Sequence, residues 1–222
     1  MLSLSTLAEY NYPKMNRRKP YHHGNLRETL LEASIQLIAE IGPSAFTLRE
    51  VARRAGVSHN APYRHFHDKD DLLAAVAAQG YSELNDAMLQ AAKRHSDALD
   101  RLKHAGLAYI TFALRRPEHF TVMFDAPFSR QARPEAAEAS ERAFSTLVSF
   151  VEACQAQRLL PPGSPLQFAL LAWTMVHGIA KLAITGRLPY RSRAKIVEFA
   201  SFVIDESLPK CSMDDQRHSS TR

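Results

Sequence analysis

His59, His65 and His67 fall within nine residues of one another, interleaved with Asn60, Tyr63 and Arg64 and followed by Lys69. An imidazole can ligate a metal, donate to a base edge or carry a proton. Amide, guanidinium and ammonium groups beside it suit base edges and phosphates. The other candidates, His104, His119, Asp125 and Cys154, are scattered, and their spacings converge on no metal site. No metal and no cofactor are therefore expected. The motifs GxSxG, GxxxxGK[ST], GxGxxG and HExxH are all absent, and no Cys/His pair has a catalytic spacing, so enzymatic activity is not expected. The two cysteines, Cys154 and Cys211, form no CxxC and suit a reducing cytoplasm.

Charge narrows the partner. The 222 residues carry a formal net charge of +5, and residues 14–69 hold ten Lys or Arg against five Asp or Glu. The whole excess sits in the first third, which suits a polyanion, either nucleic acid or an anionic membrane surface. A metal-responsive or membrane-responsive helical binding protein without enzymatic activity is the alternative reading. The most apolar run, residues 168–184, approaches membrane-spanning length, but His177, Gly178 and Lys181 within it favour a buried helix and no membrane.

Start and stop signals then place these residues on elements. Asn25 with Glu28 reads as a capping box, and Leu30, Leu31, Ser34, Leu37, Ile38 and Ile41 carry a helix to Gly42-Pro43. Thr47 with Glu50 opens a second, short helix that ends at Gly56. Ser58 or Asn60 can cap a third segment, and Asp68 with Asp71 caps a fourth. No useful strand alternation appears. Longer helices follow, with breaks near Arg116-Pro117, Ala126-Pro127, Pro161-Pro162-Gly163 and Gly186 to Pro189, and the chain reads as all-α. Four parts are expected: a disordered basic arm at 1–20, a helix-turn-helix domain at 21–68, a helical domain at 69–208 and a disordered tail at 209–222. The short apolar start makes a poor signal peptide, and Met15 offers an alternative start.

Residues 51–66, VARRAGVSHNAPYRHF, make a sharp turn. Ala52 lets two helices approach, Gly56 permits a positive φ, and Val57 plugs the core between them, which is a helix-turn-helix. Asn60 is the preferred cap of the third segment, because it puts Pro62 in the first helical turn, where no N–H is needed.

The run from Leu26 to Leu73, centred on TLREVARRAGVSHNAPYRHFHDKDDLL, resembles the DNA-binding domain of the TetR/AcrR family of bacterial regulators. Pro62 departs from the larger aliphatic usual there. Trp173-Thr-Met-Val-His177-Gly178 is similar to the Trp-His-Gly type of C-terminal domain within that family. The resemblance implies a ligand-responsive transcriptional regulator, usually a repressor, that binds double-stranded, palindromic operator DNA as a homodimer. It implies an N-terminal three-helix helix-turn-helix domain and a larger helical domain for ligand binding and dimerisation. His59, Asn60 and Ala61 would meet base edges, with Arg64 and His65 further along. Capping its own helix would leave Asn60 less free for a base. Thr47, Tyr63 and Lys69 would hold phosphates, and Arg17, Arg18 and Lys19 would reach further phosphates or the minor groove, or stay solvated.

The same resemblance pairs the last two helices with their copies in a second subunit. Phe168, Ala172, Ile196, Phe199, Phe202 and Val203 are the expected dimer residues. A small, mostly apolar effector is expected in a pocket built from Tyr109, Phe112, Phe120, Met123, Phe124 and Phe128, closed by Trp173 and His177.

Overall fold

The computed structural model describes residues 26–126 and 133–208. Asn25, the basic arm, Phe128 and Cys211 lie outside them. Eight α-helices and one 3-10 turn make up the described chain: α1 (Leu26–Ile41), α2 (Leu48–Ala55), the turn at Pro62–Arg64, α3 (Lys69–Ala92), α4 (Ala98–Arg115), α5 (Pro117–Asp125), α6 (Pro134–Ala156), α7 (Pro165–Ile184) and α8 (Arg193–Ser207). Among the described residues there is no strand.

Local chemistry sets most of these boundaries. α1 stops at Gly42, at φ +81°, immediately before Pro43. At α2 the capping box is reciprocal: the Glu50 N–H donates to Thr47 Oγ1, and the Thr47 N–H donates to the Glu50 carboxylate at 2.7 Å. The Thr47 hydroxyl, which donates to the same carboxylate at 2.9 Å, and then the Thr47 N–H hold the Glu50 carboxyl below its usual range. α2 ends at Gly56, which sits at φ +70° while the Val57 N–H reaches back to the Ala52 carbonyl. A side chain there would face the left-handed strain that glycine escapes. Arg54 then grips Glu40 across the turn, tying α2 to α1.

The third segment departs from expectation. Ala61, not Asn60, stands at its N-terminal boundary, in helical conformation and without any side-chain cap. The Ala61 N–H already bonds the Ser58 carbonyl, so a backbone turn supplies the start. Pro62 holds the first position, where its missing N–H costs nothing. The segment closes after three residues because Phe66 must turn into the core and Asp68 must cap α3.

α3 forms the spine. Leu72, Leu73 and Val76 are fully buried at its start, and the helix then runs between α4, α5 and α6. Gly80 lets α5 come close, since a Cβ there would lie 2.6 Å from the Met123 sulfur and 3.2 Å from His119 Cβ. α7 and α8 pack on α4 and complete the bundle. One apolar core is continuous from α1 to α8, and a smaller one around Leu102, Val151 and Cys154 closes the far end.

Candidate functional site

His59, Asn60, Tyr63, Arg64 and His65 stand together on the outer side of the turn after α2, all exposed. Ala61 does not join them. It is buried with Pro62, so this candidate base contact is a packing residue instead. Asn60 caps nothing, so its amide is free to face outward. Thr47 heads α2, with its hydroxyl engaged by Glu50. Lys69 leans back from the start of α3, donating to the Ser44 carbonyl at 2.9 Å with its ammonium 5.5 Å from the Phe46 ring centre. It thereby brings a positive charge beside the N-terminus of α2.

His67 gathers with Asp68 and Asp71 rather than with His59 and His65. The two carboxylates already hold a cation. Arg133, at the head of α6, puts one guanidinium nitrogen 3.0 Å from both Asp68 oxygens and the other 2.7 Å from Asp71. The Asp71 N–H, followed by Arg133, holds the Asp68 carboxyl below its usual range. The cluster is the cap of α3 clamped by an arginine from the larger domain. Arg27 on α1 pairs with Glu135 in parallel. Cys154 is buried among apolar side chains, and burial pushes its thiol up to about 11, far from a reactive thiolate.

A cavity of about 320 Å³, reaching the surface at Glu141 and Leu170, lies among α3, α4, α5, α6, α7 and α8. Tyr109, Phe124 and Trp173 line it as expected. Phe112, Phe120 and Met123 do not. They are fully buried core side chains that support the wall from behind. Tyr81, Met88, Leu102, Phe144 and Met175 line it without having been expected, as do Ser140 and Glu141. They come from four helices, and no spacing along one chain could have grouped them.

His177 stands behind this wall and acts on it through Tyr109. The Trp173 indole N–H donates to the Tyr109 oxygen at 3.2 Å. The Tyr109 hydroxyl and His177 Nδ1 share a second hydrogen bond, at 2.9 Å. Burial, then the nearby Lys181, keeps the His177 pKa below its usual range, and burial pushes the Tyr109 phenol up. The chain is therefore neutral. Phe120 and Phe124 flank the imidazole.

The outer face of α7 and α8 is apolar and open: Leu166, Leu170, Leu171 and Leu182 are exposed, and Phe202 is 62% exposed. Phe168, Phe199 and Val203 are half-buried at its edge. Ala172 and Ile196 are corrections, because both turn inward and are buried in the chain's own core. α7 is long and apolar enough to cross a membrane by length and composition, but its other side packs on α4 and α6.

Residues 30–76 match the family described as bacterial regulatory proteins, tetR family, and residues 102–206 match a tetracyclin repressor-like, C-terminal domain. The chain belongs to the tetR family. A solved structure from Rhodococcus sp. RHA1, described as a protein with unknown function, is 34% identical, spans 87% of this chain and 100% of its own, and superposes with a TM-score of 0.74. The tetR-family regulator PfmR from Thermus thermophilus shares the fold at 19% identity and a TM-score of 0.66, over 81% of this chain and 96% of that one. An HTH-type transcriptional repressor of Mycobacterium tuberculosis (strain ATCC 25618 / H37Rv) is 40% identical over 65 residues, which is 29% of this chain and 35% of that repressor's length. Membership in a family of regulators bears out the expectation that the chain is not an enzyme. The Trp-His-Gly likeness rests on Trp173, His177 and Gly178 alone, since neither match names that subtype.

Proposed function

We propose that this tetR-family chain is a cytoplasmic transcriptional repressor that binds a palindromic operator as a homodimer and releases it when a small, mostly apolar effector fills the α3–α8 cavity. One observation carries the reading. The exposed row His59, Asn60, Tyr63, Arg64 and His65 is followed four residues later by a single helix, α3, which is anchored in the core at Leu72 and Leu73 and whose Tyr81, Leu84 and Met88 line the cavity. The division is then a DNA-binding domain at 21–68 and an effector and dimerisation domain at 69–208.

His59 and Asn60 meet base edges, with Arg64 and His65 beside them. Thr47, Tyr63 and Lys69 take phosphates, the threonine and lysine positions lying at helix N-termini that favour anions. Selection from a random duplex library tests the whole reading. It should return a palindrome whose half-sites are about 34 to 36 Å apart or somewhat more. Asymmetric, unrepeated sites would count against it.

Lys69→Ala and Tyr63→Phe should weaken every duplex alike and lower the salt slope by about 1 in the lysine case. Asn60→Ala should relax base preference at one position, by about 1 to 3 kcal/mol of discrimination. A preference altered by Lys69→Ala and untouched by Asn60→Ala would invert these roles.

Arg133, at the head of α6, holds the start of α3 and its cap through Asp71 and Asp68. Arg133→Ala should change operator affinity by about tenfold and blunt effector-driven release, while leaving effector binding in place. Titration of the operator by fluorescence anisotropy, with and without effector, reads both. Full effector response in the variant would remove Arg133 from the coupling.

A further inference from the structure

A second cavity, of about 180 Å³, lies beside the first, between α4, α6, α7 and the end of α8. Leu102, Ala172, Met175 and Leu208 line both, so a single layer of side chains divides the two. That layer is soft. Ala172 presents only a methyl group, and Met175 is unbranched, with three rotatable bonds and no polar atom that must be kept paired.

The two cavities lie end to end along the bundle. On α6, Ser140 and Glu141 line the first cavity, Phe144 and Leu147 follow, and Val151 lines the second. Eleven residues of helix separate Ser140 from Val151, about 16 Å. α7 repeats the order in reverse, from Val176 and Trp173 in the first cavity to Phe168 in the second. On α7 the two linings interleave between Leu170 and Met175, so the cavities adjoin along that stretch.

The polar lining groups gather mostly in the first cavity, with Ser207 alone lining the second, and most of those in the first are committed. The Tyr81 hydroxyl donates to the Met123 carbonyl, and the Tyr109 hydroxyl is shared between Trp173 and His177. Ser140 and Glu141 remain for a ligand, and Glu141 is the one formally charged residue lining either cavity among the described residues. A carboxylate or phosphate head would meet a like charge there, with no lining cation to offset it.

Resting on the reading of the first cavity as the effector site, we propose that the two cavities form one tunnel for a straight hydrocarbon chain with a non-anionic head. The head lies at Ser140 and Glu141, and the tail passes Met175 and Ala172 to end between Leu160 and Phe168.

Calorimetric titration of the full-length protein with 1-hexanol, 1-octanol, 1-decanol and 1-dodecanol tests it. The dissociation constant should fall about two- to fourfold per added methylene through the whole series, as each further methylene leaves water. Dodecyltrimethylammonium should bind at least as well as 1-dodecanol. Dodecanoate should bind at least tenfold more weakly, and Glu141→Gln should narrow that gap. Ala172→Phe, which fills the junction, should keep 1-hexanol binding and lose the gain beyond it. Leu160→Phe, at the far end, should shorten the useful chain by less and serves if the first variant folds poorly.

A flat series, a series whose length dependence survives both variants, or equal binding of dodecanoate would overturn the proposal. Insensitivity to Leu160→Phe together with a plateau at 1-octanol would mean that the second cavity does not take the chain, which also overturns it. Operator release is measured separately by anisotropy. Length-dependent binding without release keeps the tunnel and removes the effector reading, while release by compact ligands without length dependence does the reverse.

Discussion

Phe202→Glu is expected to give a folded monomer that has lost its operator. The Phe202 side chain is 62% exposed on α8, so a carboxylate there stays hydrated in the single chain and costs its fold little. In the proposed two-fold dimer the same substitution would place a charge in an apolar contact on both subunits, on a face that also exposes Leu166, Leu170, Leu171 and Leu182. Two half-sites bound by separate monomers lose the advantage of linkage, roughly 10²- to 10⁴-fold in affinity. Sedimentation equilibrium and operator titration on one sample check both parts, with thermal melting as the control for folding. Phe199 is a poorer probe, because it packs against Tyr190 and the core, where a charge would mix unfolding with dissociation. A dimeric Phe202→Glu protein with undiminished operator affinity would move the interface elsewhere.

His119→Leu is expected to stabilise the protein, by about 1 to 2 kcal/mol near neutral pH. The imidazole is completely buried, and neither ring nitrogen has a hydrogen-bond partner among the described residues. It lies beneath α3 near Gly80, facing Glu83 on α3 and Arg116 at the joint of α4 and α5, which are themselves paired at 3.2 Å. Burial lowers its pKa, the Glu83 charge works against that, and Arg116 reinforces it. Above the ordinary histidine pKa of about 6.5 the side chain is neutral in both folded and unfolded chains and contributes no pH dependence. As the pH falls below that value the unfolded chain takes up a proton that folded His119 refuses, so stability declines. His177 and His95, also lowered by burial, act in the same direction. Urea unfolding at pH 7.5 and 5.5 should therefore show the parent losing stability on acidification and the leucine variant losing less. A destabilised variant with an unchanged pH profile would show that His119 holds a partner that matters.

Thr47, Glu50 and Gly56 were enough to define α2, because a capping box and a left-handed glycine act within one turn of helix and need nothing from the rest of the chain. The same holds for the stop at Gly42 and for the break at Pro117. Family membership was equally legible, since it rides on that local pattern between Leu26 and Leu73. The start of the third segment was less so: Ala61 is held by a backbone turn from Ser58, a bond that side-chain preferences do not reveal, and this left Asn60 free. What only the tertiary structure decided was which members of an apolar stripe face a cavity, a core or a partner. Phe120 and Phe124 lie four residues apart on α5, yet the first is solid core and the second lines the cavity. Ala172 and Leu171 are neighbours on α7, one turned inward and the other to the open face. Helical periodicity marks apolar positions, but their direction is set by how α3, α4, α6, α7 and α8 cross. Gly80, silent in the sequence, marks where α5 presses against α3, and Arg133 finds Asp68 from 65 residues away. Both depend on contacts between segments distant in the chain, where physical proximity is created by folding.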